Sequence, residues 1–186
     1  MNSRLLGFFL LLIGALSVFS CVDPDQTQEV ILERDKEAIQ KYLQDNPIAS
    51  VKEYSEPIEG FYMFWQVSVK PERNALLRGD TVRVNYTGRT LDNRVFDTSM
   101  EKVAKDNGIF NSTRNYQPLR FPVGYGFTIT GFEFALSMMH AGEKATVVFP
   151  SRLGYGSQAN GTIPANSPLI FELDLLDVKK GPNLNP

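Results

Sequence analysis

The 186-residue chain holds one histidine, His140, and one cysteine, Cys21. A zinc centre or a Cys–His nucleophile draws on several such side chains, so the composition argues against both, and a single cysteine forms no internal disulfide. The G-x-S-x-G elbow, the H-E-x-x-H helix and the phosphate-binding glycine loop are all missing. His140 sits beside a predicted helix end, where a surface role fits it better than a catalytic one. What gathers instead, where turns and strand ends meet, is a set of large apolar side chains: Tyr86, Phe96, Phe121, Phe132, Tyr155 and Phe171. Taken singly, each reads as core. Their joint pattern is what points to a site.

The elements that must position these residues follow from the hydrophobic period. Ile31, Ala38, Ile39, Tyr42 and Leu43 fall on one face of a helix over 28–44, stopped by Asp45, Asn46 and Pro47. A linker containing Pro47 and Pro57 leads to Gly60. The period then changes to two. Met63, Trp65, Val67 and Val69 alternate with Phe64, Gln66 and Ser68, which predicts a strand. Val82, Val84 and Tyr86 share one face of a second strand, and Asp92-Asn93 turns the chain toward Val95-Phe96. Residues 98–118 read as a polar loop. Leu119, Phe121 and Val123 alternate again. Phe132, Ala135, Leu136 and Met139 have helical spacing, with Gly142 as the expected C-cap. Residues 145–149 form a strand, 151–167 a glycine-containing loop, and Leu169, Phe171, Leu173 and Leu175 a last strand. Strands surrounding one short helix predict an antiparallel α+β domain.

The net charge of −2 offers no basic footprint for nucleic acid, which excludes that partner class. With 42% hydrophobic residues the chain can form a full core, and its 14 glycines and 11 prolines signal many turns without low complexity.

At the N-terminus, Arg4 precedes an apolar run of 15 residues, Leu5 to Phe19. That is shorter than the roughly 20 residues of a membrane span and fits a secretory signal. It closes on Val18-Phe19-Ser20-Cys21, which resembles the bacterial lipobox. The expectation is that the thiol of Cys21 takes a diacylglycerol and that cleavage makes Cys21 the new N-terminus. Each buried methylene contributes about 0.8 kcal/mol, so two or three chains hold such a protein on a membrane. The expected organisation is a signal peptide over 1–20, a tether, amphipathic helix and linker over 21–60, a folded domain over 61–180 and a tail over 181–186. The expected location is the bacterial cell envelope, on the outer membrane facing the periplasm.

Within the domain, segments recur in the order of a known family. Val84-Asn85-Tyr86-Thr87-Gly88, Val95-Phe96-Asp97-Thr98-Ser99, Phe121-Pro122-Val123-Gly124 and Ile129-Thr130-Gly131-Phe132 come first. Met139-His140-Ala141-Gly142-Glu143, Leu153-Gly154-Tyr155-Gly156, Thr162-Ile163-Pro164-Ala165-Asn166 and Leu169-Ile170-Phe171-Glu172-Leu173 follow. Over residues 79–178 the pattern resembles the FK506-binding-protein family of peptidyl-prolyl isomerases. The resemblance implies a five- or six-stranded antiparallel sheet curled around one short helix, preceded here by the N-terminal helix, with a pocket between helix and sheet. It implies apolar walls from Tyr86, Phe96, Phe121, Ile129 and Phe171, a floor at Phe132, a polar rim at Asp97, and hydrogen bonds to substrate from the Tyr155 hydroxyl and the Ile163 backbone N–H. Proline-containing protein clients and macrolides of the FK506 class are the partners it implies. The reaction needs no cofactor, metal or covalent intermediate.

The physics suits that reaction. Peptide rotation is opposed by a barrier of about 18–20 kcal/mol arising from C–N double-bond character, and X–Pro isomerisation takes tens to hundreds of seconds unaided. An apolar pocket withdraws the water that favours the charge-separated planar amide, while its walls favour the twisted one. The chain departs from the family pattern at three places in the pocket. Phe132 stands where tryptophan is usual, Leu119 where an aromatic is common, and Thr128 where valine or glutamate is frequent. Its arrangement as a whole resembles the gliding-motility-associated isomerase lipoproteins and, more loosely, the macrophage-infectivity-potentiator group. Two other readings stay open: a proline-segment-binding chaperone with little turnover, and an assembly lipoprotein of a motility or secretion machine.

Overall fold

The computed structural model describes residues 27–70 and 76–182. Cys21 and the signal segment lie outside the described residues. Helix α1 spans Gln28–Asp45. Its first turn is capped by Thr27, whose Oγ1 accepts from the Val30 N–H at 3.3 Å, and Glu29 complements the helix dipole there. It ends where Asn46 turns both its backbone N–H and its side-chain amide onto the Tyr42 carbonyl, before Pro47. Ile31, Ile39 and Tyr42 are buried as expected, but Ala38 is exposed. The buried stripe runs 31, 35, 39, 42, the spacing of a straight helix, and its second member is Asp35.

Among the described residues seven strands form one antiparallel sheet: β1 Lys52–Glu56, β2 Phe61–Val67, β3 Thr81–Thr90, β4 Val95–Thr98, β5 Leu119–Pro122, β6 Lys144–Phe149 and β7 Leu169–Lys179. Their order is β1-β2-β6-β7-β3-β4. Strand β5 shares with β4 the far edge of β3, pairing over Thr81–Val84 while β4 pairs over Thr87–Arg89. The count exceeds the five or six expected because β1 falls within the stretch read as a linker. Its residues Lys-Glu-Tyr-Ser-Glu are nearly all exposed, so no apolar alternation announces them. Charged side chains on a sheet edge of this kind also discourage edge-to-edge association.

Helix α2, Glu101–Asp106, stands in the segment read as loop. It buries only Ala104, and the paired charges Glu101–Lys105 and Lys102–Asp106 run along its outer face. Helix α3, Thr130–Ser137, lies across the inner face of the sheet and buries Phe132, Ala135 and Leu136. It stops at Met138, earlier than the expected Gly142 cap. Gly142, at φ +90°, instead makes the turn into β6 and donates its N–H to the Leu175 carbonyl at 2.7 Å. A single 3-10 turn, Ser151–Leu153, follows β6.

The core lies between α3 and the sheet, where Met63, Trp65, Val147, Phe149 and Leu173 meet the helix. A second, smaller cluster on the opposite face joins Ile39 and Tyr42 of α1 to Val148 and Ile170. Strands β6 and β7 are therefore covered on both faces where Val148 pairs with Ile170, which explains the short unbroken apolar runs at that point. At the edge of the main core, Glu143 is 1% exposed yet fully partnered. It accepts from the Trp65 indole N–H at 3.0 Å, the Ser68 hydroxyl at 3.0 Å, and the backbone N–H groups of Val69 and His140.

Candidate active site

Strand β3 projects Tyr86 onto the inner face of the sheet, β4 brings Phe96 and Asp97 beside it, and α3 presents Phe132 from below. Tyr86 and Phe132 meet edge to face with ring centroids 5.8 Å apart, and Phe171 of β7 meets Phe132 in the same manner at 5.2 Å. Phe96 closes on Phe171 at 5.6 Å. The approach of Phe96 and Phe171 to the sheet requires Gly88, where a Cβ would lie 2.5 Å from the Phe96 ring and 2.8 Å from that of Phe171. Above this aromatic group opens a cavity of about 310 Å³. Tyr86, Phe96, Ile129, Phe132 and Phe171 line it, and Asp97 and Tyr155 stand at its polar side. Leu119 and Thr128 also face it.

Two expected members stand apart. Phe121 is not among the lining residues; it is 5% exposed and supports Phe132 from behind, centroids 6.4 Å apart. Ile163 is buried in the core and likewise does not line the cavity. Its N–H, expected to be open to substrate, donates at 2.9 Å to the Asn160 carbonyl, in a two-bond bridge closed by the turn at Gly161, φ +57°. A short turn satisfies its own polar groups in this way, so that N–H is already engaged.

Two residues were not foreseen from the sequence. Phe127, 64% exposed, overhangs the cavity from the turn before Thr128. That turn is held by Glu133 of α3, whose Oε2 accepts from the Gly124 N–H at 3.3 Å. Arg114, from the segment between α2 and β5, reaches back over the rim, pairs with Asp97 and donates to the Tyr86 hydroxyl at 3.1 Å. The matched charge pairs of α2 were the available sign that residues 98–118 hold ordered structure. Nothing in that segment singled out Arg114.

The rim is a hydrogen-bonded triad. Tyr86 donates to Asp97 Oδ2 at 2.6 Å, Asp97 Oδ1 also accepts from the Thr98 N–H at 2.8 Å, and Arg114 bridges both partners. Burial, and then the Asp97 carboxylate accepting its proton, push the Tyr86 phenol well above its ordinary range. Burial, followed by the Asp97 charge, raises Tyr155 as well. Both phenols are therefore hydrogen-bond donors at neutral pH. The Thr128 Oγ1 is buried without a hydrogen-bond partner. Among the described residues no cluster of His, Cys, Asp or Glu has the makings of a metal site, and no helix is long and apolar enough to cross a membrane.

An antiparallel sheet curled over one helix, with an aromatic cavity between them and a carboxylate and phenols at its mouth, defines the class of proline-pocket domains. The chain belongs to the family described as FKBP-type peptidyl-prolyl cis-trans isomerase, whose model matches residues 73–176. It is 46% identical over 83 residues to the short-type peptidyl-prolyl cis-trans isomerase of Methanocaldococcus jannaschii, a match covering 45% of this chain and 52% of that protein. It is 36% identical over 107 residues to human peptidyl-prolyl cis-trans isomerase FKBP14, covering 56% and 44%. The chain thus spans about half the length of these curated relatives. Among solved structures it is similar to FkpA from Escherichia coli, with TM-score 0.59 and 27% identity over 83% of this chain and 63% of the other. A peptidyl-prolyl cis-trans isomerase of Pseudomonas syringae gives TM-score 0.57 and 25% identity, covering 84% and 98%.

Proposed function

We propose that this chain catalyses cis–trans isomerisation of X–Pro bonds in extracytoplasmic proteins, while held at the cell envelope by lipid on Cys21. The observation that carries the catalytic part is the cavity of about 310 Å³ floored by Phe132 and walled by Tyr86, Phe96 and Phe171. A prolyl ring seated on Phe132 leaves water behind, and with it the solvation that favours the planar amide. Tyr155 donates its hydroxyl to a client carbonyl and fixes the register. The triad of Tyr86, Asp97 and Arg114 holds one wall rigid and presents a fixed dipole to the amide as it twists. Only interactions stronger with the twisted amide than with either planar isomer accelerate the reaction, so a stiff apolar wall serves better than a mobile one.

The family and the relatives' names support this activity. Macrolides of the FK506 class are the ligands this reading adds. The lipobox supports the anchor, and an envelope location at the outer membrane facing the periplasm, with folding clients among envelope or gliding-motility components, extends the same reading. Exchange spectroscopy by NMR on peptides with an apolar residue before proline tests the enzyme. Exchange above background is the expected result. Folded protein that gives none, yet still binds the peptides, would make the chain a proline-binding chaperone. Mass spectrometry of membrane-extracted protein tests the anchor, which fails if Met1 is intact and the Cys21 thiol free.

A further inference from the structure

Helix α1 lies on the face of the sheet opposite α3, yet one buried side chain ties it to the turn that leads to Tyr155. Asp35 is 2% exposed, and its Oδ2 accepts two hydrogen bonds from Ser151: the backbone N–H at 2.8 Å and the hydroxyl at 2.5 Å. Ser151 is itself 1% exposed and opens the 3-10 turn after β6. Its carbonyl then accepts the N–H groups of both Gly154 and Gly156, each at 2.8 Å. Those two glycines bracket Tyr155, and the Gly156 carbonyl is held in turn by the Asn166 N–H at 2.7 Å. Every polar group of Ser151 is thus committed, one side to α1 and the other to the backbone on both sides of Tyr155. A carboxylate in apolar surroundings is costly unless its hydrogen bonds are made, so this pair is tightly specified.

We propose that Asp35 is a positioning residue for Tyr155: α1 fixes Ser151, and Ser151 fixes the loop that delivers the Tyr155 hydroxyl to the client. The proposal rests on the reading of Tyr155 as a substrate hydrogen-bond donor, and α1 is on this view part of the enzyme rather than a spacer. Chemistry also predicts which replacement is tolerated. Both Ser151 donors converge on one oxygen, so the single amide oxygen of asparagine can accept both.

The full-length chain carries the test, with two independent readouts. The first is hydrogen exchange at the Gly154 and Gly156 amides together with the Tyr155 ring resonances. Asp35→Ala should lose protection at both amides and shift the ring signals, whereas Asp35→Asn should restore them. The second is a double-mutant cycle on isomerase kcat/KM. Asp35→Ala should lower kcat/KM about fivefold with Tyr155 in place and less than about twofold in the Tyr155→Phe background, the coupling expected of residues acting through one network. Ile39→Ala removes a core contact of α1 but keeps the Asp35 carboxylate, and should lower thermal stability while leaving the Gly154 and Gly156 amides of the folded protein far better protected than Asp35→Ala does. If Asp35→Ala does not fold, Ser151→Ala, which deletes one of the two donors, takes its place with a smaller effect in the same direction. Unmoved glycine amides and Tyr155 signals overturn the proposal, as does an equal loss of activity in the Tyr155→Phe background. A chain with no isomerase activity at all would sink the functional reading alone, since the exchange experiment still decides the positioning role.

Discussion

The hydroxyl of Tyr86 on β3 and the carboxylate of Asp97 on β4 are joined by a 2.6 Å hydrogen bond, and Arg114 lies against both. Phenylalanine at 86 would keep the ring contacts with Phe132 and Phe171 but leave Asp97 to Arg114 and solvent. Removing one charge-assisted hydrogen bond at a half-exposed rim costs about 1–2 kcal/mol of wall rigidity. The expected result for Tyr86→Phe is a drop of about threefold to tenfold in kcat/KM with the melting temperature lowered only slightly. A peptide-exchange assay and a thermal melt on the same sample check both halves.

Phe132 is 3% exposed and supports three other rings. Truncation to alanine leaves a void beneath the cavity, and phenylalanine-to-alanine changes in cores cost about 3–5 kcal/mol. Phe132→Ala should therefore lose both most of its kcat/KM and several degrees of thermal stability. Phe132→Trp, by contrast, should retain or raise kcat/KM, because the indole is the more usual floor in the family that the chain resembles. A tryptophan variant as inactive as the alanine one would refute the assignment of the floor.

The proposed isomerisation uses no acid–base step, and pH dependence should say so. Tyr86 and Tyr155 are both displaced upward from an ordinary phenol, so neither changes protonation between about pH 6 and 8. The rate of peptide exchange should be flat across that interval. A bell-shaped profile with a limb near pH 7 would overturn this expectation.

Stability should behave otherwise at low pH. Burial works to raise the Glu143 carboxyl, but the four donors from His140, Ser68, Val69 and Trp65 outweigh it and hold the group below its ordinary value. A carboxyl whose folded pKa is lowered stabilises the fold above its unfolded pKa of about 4.3, and that contribution is lost as pH falls through the lower folded value. Glu143→Gln should be less stable at pH 7 by about 2–4 kcal/mol, since it turns an amide N–H toward existing donors. The gap from wild type should narrow below about pH 4, which denaturant melts at both pH values would show. Asp35, raised by burial despite its bonds to Ser151, contributes with the opposite sign and softens the acid limb.

Much of this organisation was legible in the residues, and the exceptions have physical causes. The inward faces of β2, β3 and β7 alternate because one side of each meets α3, so their period exposes them. The floor and walls of the cavity follow from the same alternation together with the ordered segments around Tyr86, Phe96, Phe132 and Phe171. Strand β1 was hidden because it is an edge strand with almost no buried side chain, and α2 because it buries one alanine. Asp35 carries no signal in the sequence, since no local pattern shows that a carboxylate will meet two donors 116 residues away. Ile163 shows the converse: its N–H was expected to face substrate, but the residue is buried in the core and that N–H is engaged by a turn with Asn160.

The seating of β7 between β6 and β3 has a temporal meaning. Phe171 enters the cavity only on that strand, and β3, which carries Tyr86, pairs with it along its whole length from Thr81 to Thr90. The aromatic cavity is consequently the last thing to be assembled as the polypeptide is made, from pieces separated by some of the longest loops in the chain. Such non-local pairing is slow to form and cooperative once formed. The cavity cannot close until β7 has left the ribosome, and a nascent or nicked chain lacking that strand lacks the Phe171 wall. A complete cavity is in this sense a report on the integrity of the whole sheet, delivered all at once or not at all.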